Sequence, residues 1–337
     1  MNSGRSRKGL GRSILPIAVI CIGCGTAQPK SVGPSATAPP GVAGVAEEVT
    51  FSSGGLTLRG ALYRPTGSGP FPAVLFNHGS APGMLNSEAF EAIGPLFAAR
   101  GWVFFAPYRR GQGLSASAGA YIGDQITAAA KKGGARAGSA EMVRLLEGDH
   151  LDDQLAALAW LRKASFVLPD RIAAAGNSFG GIETVLGVER ASYCAGVDAS
   201  GGAQGWAASP ELQASMTRAV RNARAPIFFV QAENDFDLSP TRTLSSVMKA
   251  AGKPFELKIY PPFGNSPQEG HSFAYRGSAI WFDDVLRFLE RHCLSPPRGS
   301  AAQRRWPPRP ARANASTIAA RSRSPAAPSL PPIASSS

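Results

Sequence analysis

Ser178 lies in the stretch AAAGNSFGGIE (173–183), between Gly176 and Gly180, with Gly181 behind it. A serine in a G-x-S-x-G pattern becomes a nucleophile when a sharp strand-to-helix turn exposes its hydroxyl. In a chain with 38 glycines the same pattern also arises as an ordinary bend, so the surrounding residues must decide. A serine hydroxyl is a poor nucleophile at neutral pH without a base to take its proton. Four histidines are available. His78 ends an apolar run in NHGSAPG, His150 opens a helical segment, and His292 falls in the last turn of the final helix. His271, in PPFGNSPQEGHSFAYRG, follows the last strand-like run in a Gly- and Pro-rich loop, and is the candidate base.

A catalytic imidazole needs an acceptor to fix its tautomer and to stabilise its cation. The run PIFFVQA leads into ENDFDLSP, which offers Asp235 and Asp237. Asp235 lies in the first turn beyond the run and is the candidate acid. Asp237 stands nearer the helix entry, where LSPTR suggests capping, and is the alternate. Two backbone N–H groups must stabilise the oxyanion of an acyl-transfer intermediate. Phe179, just after the serine at a helix start, is one candidate, and Ser80 in NHGSAPG is the other. His78 is expected to brace that loop. The pairs of small residues Gly176 and Gly180 would allow the turn to pack closely.

These residues need a scaffold that carries them to one edge. EEVTFSS (47–53) and LTLRGALYRP (56–65) flank Gly54-Gly55, a hairpin signal. FPAVLFNHG (71–79) and WVFFAPY (102–108) read as buried strands, with a helix over 87–101 between them. A helical period runs through 139–165, followed by strand 171–176 and a helix starting directly after Ser178. Strands at 195–200, 226–232 and 255–261 alternate with helices around 209–224, near 241–251 and near 277–292. A hairpin followed by repeated strand–helix units predicts a mostly parallel, doubly wound α/β sheet of about eight strands, with helices on both faces. Ligands of such sheets bind beyond the C-terminal strand ends, where every candidate residue falls.

With FNHGS, YRRGQGLS, DRIAAAGNSFGG, AENDFDLSP and EGHSF in this order, residues 47–294 resemble an α/β-hydrolase of the dienelactone hydrolase-like or prolyl oligopeptidase-like group. The resemblance implies a Ser178–Asp235–His271 triad, an acyl-enzyme, and a loop beside the site shaped by Arg110 and its glycines. Dienelactone hydrolases carry a cysteine at the elbow, whereas this chain has Ser178, and Asn177 replaces a histidine found in many relatives. The implied reaction is hydrolysis of a small or medium carboxylic ester or lactone. A peptidase or amidase, and a non-catalytic binding protein on the same scaffold, stand as alternatives. No phosphate-binding loop, dinucleotide fingerprint or metal-ligand cluster occurs in the sequence, so neither cofactor nor metal is expected.

The formal charge of +12 does not point to nucleic acid. Arg5, Arg7, Lys8, Arg12 and Lys30 before residue 31, and seven arginines after residue 294, account for all of it. The central region is balanced and offers no basic groove. Residues 1–24 read as an export signal: basic residues, a short apolar run ILPIAVICIG, then Cys24 after a small residue. This resembles a lipoprotein signal, with Cys24 the lipidation site and a membrane anchor of a bacterial envelope; plain secretory or periplasmic export is the alternative. Residues 25–46 read as a flexible linker and 295–337 as a disordered basic tail. Cys194, in an apolar run, is read as a buried free thiol. Segment 114–148 is open to two readings, a lid over the site or a surface excursion, and neither it nor 202–224 is long enough for a large cap.

Overall fold

A computed structural model describes residues 44–80 and 88–295. The expectations for the signal segment with Cys24, for most of the linker and for nearly all of the tail fall outside these residues. The strands are β1 (Glu47–Ser53), β2 (Leu56–Tyr63), β3 (Phe71–Asn77), β4 (Val103–Pro107), β5 (Val167–Asn177), β6 (Gly196–Ala199), β7 (Ile227–Ala232) and β8 (Phe255–Tyr260). They form one sheet in the order β1-β2-β4-β3-β5-β6-β7-β8. Gly54 and Gly55 both take positive φ, which lets β1 turn directly into antiparallel β2. β2 is antiparallel to β4, and all later pairings are parallel. The expected α/β architecture is therefore the observed one.

The helices are α1 (Glu88–Ala99), α2 (Ile122–Glu147), α3 (Asp149–Lys163), α4 (Phe179–Arg190), α5 (Pro210–Arg221), α6 (Ser239–Ala250), α7 (Pro267–His271), α8 (Phe273–Arg276) and α9 (Ser278–Leu289). Side-chain alternation in the central strands sends residues to two cores. Leu75 and Phe105 join Leu145, Leu158, Ile182 and Met216 beneath α2 to α6. Val74 and Phe104 join Phe90, Phe97, Trp281 and Phe288 beneath α1 and α9. Burial on both faces explains why β3 and β4 read as continuous apolar runs rather than alternating ones.

Local patterns left three features unseen. The helical period over 139–165 is divided at Gly148 between α2 and α3. Within α2, Gly134 takes φ 78°, and a Cβ on Gly138 would come 2.9 Å from the Ala130 Cβ and 3.2 Å from the Ile126 carbonyl oxygen. On a straight helix those residues would lie more than two turns apart, so the segment folds back on itself as a helical hairpin. Its second arm is docked on α5 through a short Ser139–Ser209 hydrogen bond and an Arg136–Glu211 ion pair. Segment 114–148 is thus largely helical, and its second arm is tied to α5.

The third feature is a correction. Cys194 is not a free thiol but is disulfide-bonded to Cys293, with Cα atoms 5.0 Å apart. The bridge ties the approach to β6 to the turn that follows α9, across 99 residues of sequence. Only the folded sheet brings these positions together, and cysteine spacing along the chain carries no trace of it.

Candidate active site

Ser178 joins β5 to α4 with φ 57° and ψ −121°, one of two non-glycine residues with positive φ among those described. This is sparsely populated backbone for an L-residue and persists only where the surroundings over-determine it. They do so by close packing. A Cβ on Gly180 would lie 1.8 Å from the Asn77 carbonyl oxygen, and one on Gly176 would lie 2.3 Å from the Gly180 carbonyl oxygen. The Ser178 N–H donates to the Ala199 carbonyl on β6 at 3.0 Å. The elbow is therefore wedged between β3 and β6, with no room for side chains at the two glycines. Phe179 opens α4, and its N–H has no acceptor within the helix.

His271 ends the short helix α7 rather than lying in an irregular loop. Its Nδ1 is 2.8 Å from Asp235 Oδ1, while its buried Nε2 has no hydrogen-bond partner among the described residues. The structure therefore pairs His271 with Asp235 and does not join it to Ser178 by a hydrogen bond. Asp235 Oδ1 also accepts the Phe236 N–H at 2.7 Å, and Oδ2 accepts from Gln231 Nε2 at 2.8 Å. Burial pushes the Asp235 carboxyl up, but hydrogen bonds from His271, Ser200 and Gln231 outweigh it, and the net shift is downward. The carboxylate is thus held ionised beside the imidazole. Asp237 faces elsewhere, accepting the Ser239 N–H at the start of α6 at 2.7 Å.

Asn234, which the sequence reading passed over, connects the two loops. Its Nδ2 donates to the carbonyls of Phe263 and Ser266, each at 3.0 Å, and its Oδ1 accepts the Phe263 N–H at 2.8 Å. A Cβ on Gly270 would sit 2.7 Å from Asn234, so His271 follows a glycine that lets the loops touch. The aromatic ring of Phe236 packs edge-on against His271, with centroids 5.3 Å apart, and is 39% exposed. It is an apolar surface at the rim.

Ser80 ends the described part of the loop after β3, and its Oγ accepts from Gln112 Nε2 at 3.1 Å. His78 is fully buried; its Nε2 accepts the Arg109 N–H, and its Nδ1 lies 2.6 Å from the Gly79 carbonyl. That pattern assigns the proton to Nδ1. Burial, reinforced by the Arg109 charge, pushes the His78 pKa well down, so the ring stays neutral in a bracing position. Arg110 pairs with Asp153 and Asp149, fixing the start of the connection to α2. His150 is buried away from partners among the described residues, and burial depresses it to about 3. Among the described residues no three His, Cys, Asp or Glu side chains cluster in a way that could hold a metal ion.

A mostly parallel eight-stranded sheet, with a strained serine between β5 and α4 and a His–Asp pair beyond β7 and β8, defines an α/β-hydrolase fold. The dienelactone hydrolase family profile matches residues 58–305, and the chain belongs to that family. A search of curated proteins finds no match. Among solved structures, the acylaminoacyl peptidase of Pyrococcus horikoshii superposes with a TM-score of 0.56 at 18% identity, covering 76% of this chain and 43% of its own. A puromycin-hydrolysing peptidase of Mycobacterium tuberculosis gives 0.55 at 17%, covering 78% of this chain and 42% of its own. A Klebsiella pneumoniae protein provisionally named a dienelactone hydrolase gives 0.51 at 18%, covering 71% of this chain and 98% of its own. The chain thus spans less than half the length of the two peptidases it resembles.

One buried acid beside the elbow has a measurable consequence. Asp198 on β6 points at the first turn of α4, where Gly181 and Gly201 leave space that a Cβ would fill to 2.3 and 2.4 Å. Its Oδ1 accepts the Gly201 N–H at 2.9 Å, and Oδ2 has no partner among the described residues. Burial raises this carboxyl to about 7, against the opposing pull of the Gly201 N–H. Between its unfolded value of 3.8 and about 7, the folded protein retains a proton that the unfolded chain has released. Stability from this group therefore falls as pH rises through that window. Urea unfolding of Asp198→Asn beside wild type should show the variant gaining relative stability from pH ~4 to ~7, by on the order of 1 kcal/mol per pH unit. Parallel pH curves would contradict the assignment.

Proposed function

We propose that this protein is a carboxylic ester hydrolase acting on small or medium esters or lactones, with Ser178 as nucleophile, His271 as base and Asp235 as the acid that orients it. The observation that carries this reading is the Asp235-paired imidazole whose other nitrogen is buried and unpartnered, on the same sheet edge as the strained serine. Loose contacts between nucleophile and base are common before substrate binds, and tighten in the Michaelis complex.

Ser178 Oγ attacks the carbonyl carbon while Nε2 of His271 takes the hydroxyl proton. Asp235 holds the Nδ1–H tautomer and stabilises the imidazolium. The oxyanion is met by the N–H groups of Phe179, at the positive end of α4, and of Ser80. His271 returns the proton to the leaving alkoxide, leaving an acyl-Ser178 ester. Water, deprotonated by the same imidazole, then releases the acid. None of these steps calls on a cofactor. Phe236 offers an apolar flank to a substrate reaching His271.

A panel of nitrophenyl esters beside aminoacyl anilides tests both the reaction and the substrate class. The expected result is turnover of short esters with kcat/KM at least tenfold above any anilide, and loss of ester turnover by about 10⁴-fold or more in Ser178→Ala. Preferred anilide cleavage would select the peptidase reading, and activity surviving in Ser178→Ala would overturn the nucleophile. We also propose export through residues 1–24 with lipidation at Cys24, which the Cys194–Cys293 disulfide supports because such bonds persist in oxidising compartments. A non-reduced mass spectrum of the mature protein from a bacterial envelope should show a lipidated Cys24 as first residue. An unmodified Cys24, or its absence, would refute the anchor.

A further inference from the structure

Arg109 is 3% exposed, and all five of its guanidinium N–H groups are used. Nη1 donates to the His78 carbonyl at 2.7 Å and to Glu183 Oε2 at 2.6 Å. Nη2 donates to the Gly79 carbonyl at 3.0 Å and to Gln112 Oε1 at 3.1 Å, and Nε donates to the same Gln112 oxygen at 3.3 Å. This bracket links the end of β4, the loop after β3 and the nucleophile helix α4. Nothing in the triad chemistry requires it, and a buried ion pair is weak evidence for stability, because desolvation offsets most of its attraction.

Its effect on the loop is specific. The Gly79 carbonyl is held inward from two sides, by Arg109 Nη2 and by His78 Nδ1. No cis peptide other than Gly69-Pro70 occurs among the described residues, so the Gly79–Ser80 peptide is trans. In a trans peptide the C=O and the following N–H point in opposite directions. Anchoring the Gly79 oxygen inward therefore turns the Ser80 N–H outward. The Gly79 N–H is itself taken by Asn177 Oδ1 at 3.3 Å, which leaves Ser80 as the backbone donor among the loop's described residues beyond His78. The nucleophile is adjacent: a Cβ on Gly79 would lie 3.4 Å from the Ser178 Cβ. Gln112, its oxygen oriented by Arg109, turns its Nε2 onto Ser80 Oγ and fixes the far side of the same peptide.

We propose that Arg109 is a positioning residue for the oxyanion hole: with Gln112 it locks the Gly79–Ser80 peptide plane, and with Glu183 it ties that plane to the helix that starts at Ser178. The proposal rests on the serine hydrolase reading above. A lysine cannot replace Arg109, because three ammonium protons at one point cannot span acceptors arranged around a planar fork. A donor misplaced in this way weakens stabilisation of the oxyanion while leaving ground-state binding in place.

Arg109→Lys and Gln112→Met test this in the full mature chain, with kcat expressed per active site titrated by a fluorophosphonate. On p-nitrophenyl acetate, kcat should fall about 10²-fold in Arg109→Lys and about tenfold in Gln112→Met, with KM within about twofold of wild type. Affinity for an alkyl trifluoromethyl ketone, whose hemiketal oxyanion occupies the hole, should fall by the same factor as kcat/KM. A merely structural role would lower the melting temperature and the titratable fraction while leaving kcat per site and ketone affinity unchanged, and that result overturns the proposal. Should Arg109→Lys fail to fold, the same two readouts on Gln112→Met decide. Ser178→Ala separates the two levels: turnover surviving there refutes the serine reading itself. Its loss there, with wild-type kcat per site and ketone affinity in both bracket variants, refutes only the positioning role.

Discussion

Where β3, β5, β6 and the first turn of α4 converge, backbone meets backbone with no space for a side chain. Gly180 approaches the Asn77 carbonyl so closely that a methyl group would sit 1.8 Å from its oxygen, and one on Gly181 would sit 2.8 Å from the Gly201 Cα. This contact holds Ser178 at φ 57° and aims the N-terminus of α4 at one point beyond the sheet. The doubly wound topology delivers the Asp235 and Asn234 loop and α7 to the same edge, because each follows a parallel strand. Strain at one residue is thus balanced by packing distributed over three strands.

Electrostatics divides the site into two halves. On the acid side, Asp235 is kept ionised by donors from three elements, and His271 is fixed through Nδ1. On the side of the loop after β3, Arg109 sits among carbonyl oxygens and Glu183, with the neutral ring of His78 between them and the aromatic core. Burial raises the Glu183 carboxyl to about 7, against the lowering pull of Arg109, so the pair is costly to keep dry. A fold that retains such a pair beside Ser178 is maintaining a geometry rather than gaining stability from charge.

Much of the architecture could be read from local pattern. Continuous apolar runs marked the buried strands, Gly54-Gly55 marked the hairpin, and the alternation of strands and helices marked the mostly parallel sheet. The candidate residues stood out because each follows a strand. Features that depend on distant partners had no such mark. Cys194 gives no sign of Cys293, and Gly134 looks like any glycine in an Ala-rich stretch until the arm folds back on Ala130. In YRRG, the family resemblance points to Arg110, which serves the α3 side, while Arg109 carries the buried network. A charged residue at the end of an apolar strand, and Asp198 within AGVDAS, were the available signals; their meaning lay in neighbours that the sequence places far away.

The central claim is that acyl transfer passes through Ser178, and the acyl-enzyme itself is the species that tests it. Rapid acid quench during turnover of a p-nitrophenyl ester, followed by peptide mapping, should find one acyl group on the peptide containing Ser178, increasing the mass by the acyl moiety of the ester used. It should accumulate further in His271→Ala if that variant still acylates slowly with an activated ester, because deacylation also needs the imidazole. Stoichiometric acylation mapped to another residue, or steady turnover with no acyl-enzyme at Ser178 at any quench time in either protein, would contradict the account.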